Sequence, residues 1–439
     1  MTQKTQSFFE RNAVIIKVAA ITFLVLMLLI PMAMIRSLVM ERRTRQMEAA
    51  NEISSKWGHE QRLTGPILVV PYRSFEFDKE AKKMVGMGHL AYYLPENLKI
   101  SGSLNPEIRY RGIFQVAVYS SALKVEGYFK APQIDAGDII DWNGAFLIMG
   151  ISDLRGIKEA ISFRWNGKEM LCEPGVKNSH IVESGVTVNN PLQTNADAAE
   201  YHFSFNVLLN GSRSISFVPV GKETNVSIES SWNNPSFEGA FLPEDRDISA
   251  KGFHANWRVL ELNRNYPQTW ADSDVNLGDS SFGVALLLPV ETYQITERSM
   301  KYAILFISLT FMVFFFVEVM RKLKVHPIQY VLVGFGLILF YLLLLSLSEQ
   351  MNFEMAYLIA SIGIVAMITG YTFSIFKNRW LTVILAGILI LLYGFLYILL
   401  QMQDYALLMG SVGLFIILAT VMYLSRKIDW YSIGNGKNE

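Results

Sequence analysis

Three ionisable residues border the long apolar runs in the C-terminal third of the sequence: Glu318, His326 and Glu349. Burying such groups in hydrocarbon is costly, so they commonly mark a proton relay or a binding site. Glu318 stands three and four residues before Arg321 and Lys322, which also fits an ion pair on one helix face at a membrane interface. Glu349 follows an apolar run, and a helix end explains it as well as a site does. These three residues are the candidate functional positions.

Short matches to catalytic motifs occur elsewhere, but each lacks the residues that complete it. His59-Glu60 begins like the zinc-binding H-E-x-x-H motif, yet Leu63 stands where the second histidine is needed. Ser121 and Lys124 match S-x-x-K inside a strand-like run, without a following K-T-G or S-D-N. The six histidines show no metal-ligand spacing. The sequence therefore predicts no catalytic residue, no metal site and no cofactor.

Long apolar runs lie near both ends of the chain. The run from Ile328 to Leu347 has twenty uncharged residues, which at about 1.5 Å per residue cover roughly 30 Å, the thickness of a bilayer core. The first run is too long for the apolar core of a signal peptide and has no small-x-small cleavage site near Pro31, which predicts a retained anchor. Six transmembrane helices are predicted, at about residues 18–40, 301–320, 328–347, 354–376, 380–402 and 405–425.

Residues 41–297 contain no run long enough to cross a bilayer. Strings such as GPILVVPYRSFEF, YHFSFNVLLNG and FGVALLLPV are short, rich in Val, Ile, Phe and Tyr, and bounded by turn residues. A helix over Arg45 to Gln61 is expected to continue from the first span. The predicted fold is a membrane protein with one N-terminal anchor, a C-terminal five-helix bundle over 298–425, and a large, mainly antiparallel β-sandwich-like domain over 41–297.

Charge and cysteine content restrict the possible partners and stabilising links of this domain. Residues 41–297 hold 25 Lys and Arg against 32 Asp and Glu, a net charge of −7 in a chain that is neutral overall. Nucleic-acid binding would require a basic patch or stripe, so no nucleic-acid partner is predicted. Cys172 is the single cysteine, and therefore no intramolecular disulfide stabilises the fold.

The short loops between the C-terminal spans alternate in charge. Cytoplasmic loops are enriched in Lys and Arg. Basic residues follow the second, fourth and sixth predicted spans: Arg321, Lys322, Lys324, Lys377, Arg379, Arg426, Lys427 and Lys437. Acidic residues follow the third and fifth: Glu349, Glu354 and Asp404. The pattern predicts that 1–17 and 426–439 are cytoplasmic and that 41–297 lies outside. One set of residues runs against it, the arginines after the first span: Arg36, Arg42, Arg43 and Arg45.

Several longer strings are family-specific, among them WGHEQRLTGPILVVPY, GISDLRGI, KYAILFISLTFMVFFFVEV and HPIQYVLVGFGLILFYLLLLSLSEQ. Through them the chain from about Trp57 to Ile375 resembles the CreD family, inner-membrane proteins of Gram-negative bacteria described as cell-envelope-integrity proteins. The resemblance implies a periplasmic outer domain and a part in the envelope-stress response, with colicin tolerance and the response to β-lactams. It supplies no catalytic residue and assigns no role to His326 or Glu349.

Three functions fit these observations. The first is a non-enzymatic protein whose helices contact the lipid bilayer and whose periplasmic domain binds an envelope protein, a lipid or a cell-wall component. The second is a transporter or lipid-translocating bundle, in which Glu318 or Glu349 would face a cavity. The third is an envelope hydrolase with a site assembled by folding, such as His202 or His254 beside acidic residues. The lack of a complete catalytic motif favours the first.

Overall fold

The computed structural model describes residues 13–78, 83–132, 139–177, 181–192, 199–272, 275–288, 292–321, 323, 325–402 and 405–426. The chain divides into a helical unit, Met1–Arg45 with Val290–Glu439, and a sheet unit, Gln46–Pro289. Several positions used in the topology prediction lie outside the described residues: 1–12 at the N-terminus, Lys322, Lys324, Asp404 and the tail 427–439.

The described residues form seven α-helices: α1 (Ala13–Trp57), α2 (Thr292–Lys301), α3 (Ala303–Arg321), α4 (Pro327–Ser348), α5 (Phe353–Phe376), α6 (Arg379–Gln401) and α7 (Ala406–Ser425). Six segments within them are long and apolar enough to cross a membrane: Ile16–Trp57, Ala303–Arg321, Pro327–Ser348, Phe353–Phe376, Arg379–Gln401 and Ala406–Tyr423. This confirms the predicted anchor and five-helix bundle.

Asparagine side chains set the start of two of these helices. The Asn352 side chain accepts the Met355 N–H at 3.2 Å before α5, and the Asn378 side chain accepts the Trp380 N–H at 3.0 Å before α6. Such N-caps satisfy backbone donors that have no partner inside the helix. Lys377, in the left-handed region at φ 48°, ends α5 one residue before the Asn378 cap. Short, defined turns therefore join neighbouring spans.

The described residues also form 18 strands: β1 (Gln61–Asp78), β2 (Lys83–Tyr93), β3 (Asn97–Arg111), β4 (Phe114–Lys130), β5 (Ile139–Ile140), β6 (Phe146–Ile151), β7 (Ser162–Trp165), β8 (Lys168–Met170), β9 (Cys172–Pro174), β10 (Gly185–Asn189), β11 (Glu200–Ser212), β12 (Ser214–Phe217), β13 (Glu223–Ser230), β14 (Pro235–Gly239), β15 (Asp245–Ser249), β16 (Gly252–Leu260), β17 (Thr269–Ala271) and β18 (Phe282–Leu286). Between them lie four 3₁₀ turns: Trp142–Gly144, Leu154–Gly156, Glu261–Asn263 and Gly278–Ser280.

These strands make two sheets that share one hydrophobic core. The eight-stranded sheet has the order β15-β16-β13-β3-β4-β11-β7-β8, and the ten-stranded sheet has the path β14-β18-β12-β1-β6-β10-β9, with β2 and β5 also on β1 and β17 on β2. Pairing is antiparallel except for β1 with β12 and β3 with β13. The Trp257 ring of the eight-stranded sheet lies 5.8 Å from the Phe282 ring and 5.7 Å from the Phe237 ring of the other. The expected sheet-rich domain is confirmed.

The end of α1 is fixed to β1 by backbone geometry. Gly58 has φ +138°, a conformation that residues with side chains rarely adopt. A Cβ atom on Gly58 would lie 2.5 Å from the Asn210 carbonyl oxygen. The Trp57 indole donates to the Tyr119 carbonyl oxygen at 3.1 Å. Helix α1 therefore ends at Trp57 rather than at Gln61, because the next residue leaves the helical region.

Buried polar groups complete this junction. The Asp153 carboxylate accepts the His59 N–H and the Arg155 Nε–H, both at 2.9 Å. Burial alone would raise the pKa of Asp153, but hydrogen bonds from Arg155 and His59 outweigh it and hold that pKa at about 2. The buried Gln61 amide donates to the Asp153 and Asn210 carbonyl oxygens at 3.0 and 2.9 Å. The strings WGHEQ and GISDLRGI thus meet in one structural junction.

Candidate functional site

Glu318 is a buried carboxylate with three polar partners. It lies in the last turn of α3, and 6% of its side chain is exposed. Its Oε1 atom contacts the Lys17 ammonium group of α1 and accepts the Val325 N–H at 2.9 Å. Its Oε2 atom accepts the Tyr330 hydroxyl hydrogen bond at 3.0 Å. Such partners are required, because an unpaired carboxylate in a low-dielectric interior is strongly unfavourable.

The helix spacing suggested an ion pair of Glu318 with Arg321 or Lys322. The pair that the structure has is instead with Lys17, 301 residues away in the sequence. Within the part of the chain that the structure describes, Arg321 forms no salt bridge with Glu318, and Lys322 is outside that part. The chain turns back between α3 and α4, which brings the Val325 N–H and the Tyr330 hydroxyl to the carboxylate. The i, i+3 spacing could not reveal this, because it reports neighbours on one helix only.

Glu349 follows α4 directly and contacts two other helices of the helical unit. Its Oε1 atom accepts the Tyr293 hydroxyl of α2 at 3.0 Å and lies 3.7 Å from Nε of Arg42 in α1. Burial, and then the neighbouring Glu349 carboxylate, raise the pKa of Tyr293. Tyr293 therefore stays a neutral hydrogen-bond donor at physiological pH.

The other arginines after the first span also have acidic partners. Arg36 and Arg43 approach the Glu297 carboxylate at 3.6 and 3.8 Å. Arg45 pairs with Glu41, one turn earlier in α1, at 2.7 Å. These ion pairs explain why arginines follow the first span, and the explanation does not depend on the charge rule for cytoplasmic loops.

Both candidate glutamates hold α1 against the bundle, one near each end of the span. Lys17 and Arg42 are 25 residues apart on the same helix, which at about 1.5 Å per residue separates them by about 37 Å. A bilayer is about 30 Å thick in its hydrocarbon core and about 40–45 Å with its head groups. The two ion pairs are therefore spaced to suit the two interfaces of a membrane.

His326 forms the N-terminal cap of α4. Its Nδ1 atom accepts the Ile328 N–H at 3.3 Å, and the Gln329 side chain accepts the His326 N–H at 3.0 Å. Pro327 occupies the first helical position, where no N–H is needed. The string HPIQ is thus a helix start, and its contacts give His326 a structural role.

An apolar groove lies between α5 and α6. Its volume is about 860 Å³, and it is lined mainly by aliphatic and tyrosine side chains, with Glu354 at its border. Within the described segments, the buried Thr369 hydroxyl of this groove has no hydrogen-bond partner. Neither Glu318 nor Glu349 lines this groove. The groove therefore does not support a transporter in which one of these glutamates faces the cavity.

The outward face of the eight-stranded sheet carries a continuous polar row. Alternation along each strand places these side chains opposite the buried core positions. Each member pairs with the next across six strands, in the order Asn256, Ser227, Ser101, Lys124, Asn206 and Ser162. Hydroxyl, amide and ammonium groups therefore follow one another in a line across the sheet.

A depression of about 750 Å³ lies over this row. Its floor is formed by the short side chains of Ser101, Ser103 and Ala122, whereas longer side chains such as Glu229 and His254 border it. Short residues beside long ones on a flat sheet face leave a shallow, solvent-open concavity. We call it the polar depression; its donors and acceptors can hold a ligand that is rich in hydroxyl or amide groups.

Comparison with known proteins identifies the family. The family model described as Inner membrane protein CreD matches residues 13–431. The chain belongs to the CreD family. The protein named Inner membrane protein CreD of Escherichia coli (strain K12) is 35% identical over 425 residues, which cover 93% of this chain and 92% of that protein. This CreD family member is therefore a multi-pass inner-membrane protein, as its resemblance implied.

In this CreD family member, the two strings that frame α4 have structural explanations. HPIQY supplies the cap of α4 and the Tyr330 hydroxyl that donates to Glu318. SLSEQ ends α4 and supplies Glu349, whose carboxylate accepts the Tyr293 hydroxyl hydrogen bond.

In the ranges that the structure describes, no group of three or more His, Cys, Asp or Glu could hold a metal ion.

Sequence reasoning missed the polar depression of this CreD family protein. The string LKISGS alternates polar and apolar residues, which indicates one solvated face on a strand. It does not indicate that Ser101 pairs with Ser227 on one side and Lys124 on the other. That information is in the register of distant strands, one of which pairs in parallel.

Proposed function

We propose that this CreD family protein supports envelope integrity by binding a cell-wall component through the polar depression of its sheet unit. The single observation that carries the proposal is the polar row across six strands, over which the depression lies. Serine, asparagine and lysine side chains present both donors and acceptors to solvent. This chemistry suits the hydroxyl and amide groups of a glycan or peptide better than a lipid chain.

The proposal requires that the sheet unit faces the periplasm and that both termini are cytoplasmic. The alternating charge of the short C-terminal loops supports this orientation. The acidic partners of Arg36, Arg42 and Arg43 weaken the one opposing feature, because those arginines are neutralised locally. An envelope-stress role agrees with this placement and is part of the same proposal.

The contacts of the two glutamates favour binding over transport. Glu318 already has Lys17, Val325 and Tyr330 as partners, and Glu349 has Tyr293 and Arg42 as partners. A coupling carboxylate must exchange its partners during a transport cycle. Carboxylates that join helices serve instead to hold the bundle together.

Site-specific photocross-linking in cells tests the proposal. A photoreactive residue at Ser103 of the full-length protein is expected to form an adduct with a cell-wall fragment, because Ser103 lies on the floor of the depression. The same residue at Asp279, an exposed position in a 3₁₀ turn, is the control. Adducts are detected as bands of reduced electrophoretic mobility, and they are identified by their loss after treatment with cell-wall hydrolases.

The outcomes separate the alternatives. An adduct at Ser103 alone that disappears after hydrolase treatment supports the proposal. An adduct with a protein would show that the depression binds a protein partner instead of a cell-wall component. Equal adducts at Ser103 and Asp279, or none at either position in correctly inserted protein, would contradict it.

A further inference from the structure

Ser74, His89 and Asp272 form a linear hydrogen-bonded series in the sheet unit. The Ser74 Oγ atom lies 2.8 Å from Nε2 of His89, and Nδ1 of the same ring contacts Oδ2 of Asp272. The second carboxylate oxygen, Oδ1, accepts the Leu90 N–H at 3.0 Å. The Tyr72 ring stacks on the imidazole with centroids 5.1 Å apart. The histidine is therefore oriented on three sides.

Strand register brings these groups together. Tyr72 pairs with His89 and Ser74 pairs with Met87 between β1 and β2, so Ser74 and His89 are diagonal neighbours on one face. Strand β17 pairs with β2 as far as Ala271. The next residue, Asp272, has φ 52° and lies beyond the last ladder pair, although its N–H still donates to the Leu90 carbonyl oxygen at 3.2 Å. Its side chain thereby replaces a backbone acceptor opposite Leu90 and reaches the imidazole.

The order of the three groups matches that of a serine nucleophile, a general base and an orienting carboxylate. A carboxylate beside Nδ1 holds the ring proton on that nitrogen, which leaves Nε2 free to accept the Ser74 proton. The series is also accessible, since 22% of the His89 side chain and 48% of the Asp272 side chain are exposed.

We infer that this protein has a serine esterase site, with Ser74 as nucleophile, His89 as general base and Asp272 as the positioning carboxylate. The substrate class is a carboxylic ester with an apolar acyl group, because Met87 and Val85 project from the same strand face as Ser74 and are 49% and 37% exposed. This activity goes beyond ligand binding, and its residues are separate from those of the polar depression.

The reaction balances with water as the only co-substrate. The Ser74 Oγ atom forms a bond to the ester carbonyl carbon while its proton passes to Nε2 of His89. The carbon–oxygen bond to the alcohol breaks, and the alcohol leaves with that proton. Water then attacks the acyl-serine and gives one proton to Nε2. The acid leaves as the Ser74 oxygen recovers that proton.

The sequence suggested His202 or His254 for a hydrolase site, and neither belongs to the series of Ser74, His89 and Asp272. His202 lies 3.6 Å from the Glu200 carboxylate, and both side chains are largely exposed. The His254 Nε2 atom lies 3.3 Å from the Ser227 hydroxyl, but among the described residues no carboxylate is hydrogen-bonded to that ring. The pair of Ser227 and His254 therefore serves as a control within the same protein: it has a serine and a histidine, as the Ser74 series has, but lacks the positioning carboxylate.

The test uses the purified full-length protein in detergent. A fluorophosphonate probe is expected to label Ser74 and leave Ser227 unlabelled, as read by peptide mass spectrometry, and p-nitrophenyl butyrate is expected to be hydrolysed. Ser74→Ala should abolish both signals. Asp272→Asn should lower both by about 100-fold or more, because the imidazole loses the group that fixes its tautomer. Asparagine tolerates positive φ, so this variant keeps the local backbone.

Two further variants complete the test. His89→Gln should abolish labelling, whereas Ser236→Ala, at a partly buried serine in β14, should leave labelling and hydrolysis unchanged. Failure of Ser74 to react in folded protein would overturn the inference. So would equal labelling of Ser74 and Ser227, or full hydrolysis by Ser74→Ala. None of these results would affect the binding proposal, which depends on the other sheet.

Discussion

Replacing Lys17 with alanine is expected to lower the free energy of unfolding of the helical unit by about 3–5 kcal/mol. The substitution leaves the Glu318 carboxylate, 6% exposed, without its cationic partner. The Tyr330 hydroxyl and Val325 N–H remain, but they carry no compensating charge. Unfolding of the full-length protein in detergent, followed by the loss of helical circular dichroism, measures the effect.

Arg45→Ala is the matched control in the same helix. Arg45 pairs with Glu41 on the surface, and 57% of its side chain is exposed. Exposed i, i+4 pairs contribute only about 0.3–0.5 kcal/mol. Comparable losses for Lys17→Ala and Arg45→Ala would contradict the assignment of Glu318 as a buried charge whose main partner is Lys17.

A double variant separates the charge from the packing. Lys17→Met combined with Glu318→Leu removes both charges and is expected to recover most of the loss, because apolar replacements of a buried pair are often neutral. Recovery should stop short of the original stability by about 1–3 kcal/mol, since the Tyr330 hydroxyl and the Val325 N–H lose their acceptor. A double variant that is no better than Lys17→Ala would contradict the unpaired Glu318 charge as the main cause of the loss.

Gly58→Ala is expected to destabilise the sheet unit by about 2–4 kcal/mol. The new Cβ would lie 2.5 Å from the Asn210 carbonyl oxygen, at a φ of +138° that alanine rarely adopts. The strain falls on the junction that also contains Trp57 and Gln61. Denaturant unfolding followed by the β-sheet circular dichroism signal gives the change.

Gly112→Asn provides the comparison for Gly58. Gly112 also has a positive φ, +60°, but nothing lies within 4 Å of the position of its Cβ atom. Asparagine there should cost about 1 kcal/mol or less. If both variants lose equal stability, the close approach at Gly58 is not what fixes the junction.

The membrane architecture could be predicted from the sequence because its signals are local. The run from Ile328 to Leu347 has the length and the charge content of a span whatever surrounds it. The start of α4 is equally local, since Pro327 and Gln329 make a helix cap with His326. These features need no knowledge of distant residues.

The partners of the candidate residues could not be predicted, because they lie far away in the sequence. Lys17 meets Glu318 across 301 positions, while His89 meets Ser74 across 15 positions and Asp272 across 183. Alternation within β1 and β2 indicates which side chains share a face, but not the register that makes two of them neighbours. The contact with Asp272 depends further on one residue at positive φ, which no periodic pattern predicts.

The most direct test of the central claim is rescue of envelope integrity by a variant with a filled depression. In cells that lack the protein, the full-length chain is expressed unchanged, with Ser101→Trp on the polar row, or with Asp279→Trp at the exposed 3₁₀ turn. Growth in detergent is measured at equal membrane levels of each protein. The account predicts rescue by the unchanged chain and by Asp279→Trp, and failure of Ser101→Trp. Full rescue by Ser101→Trp would contradict binding through the polar depression.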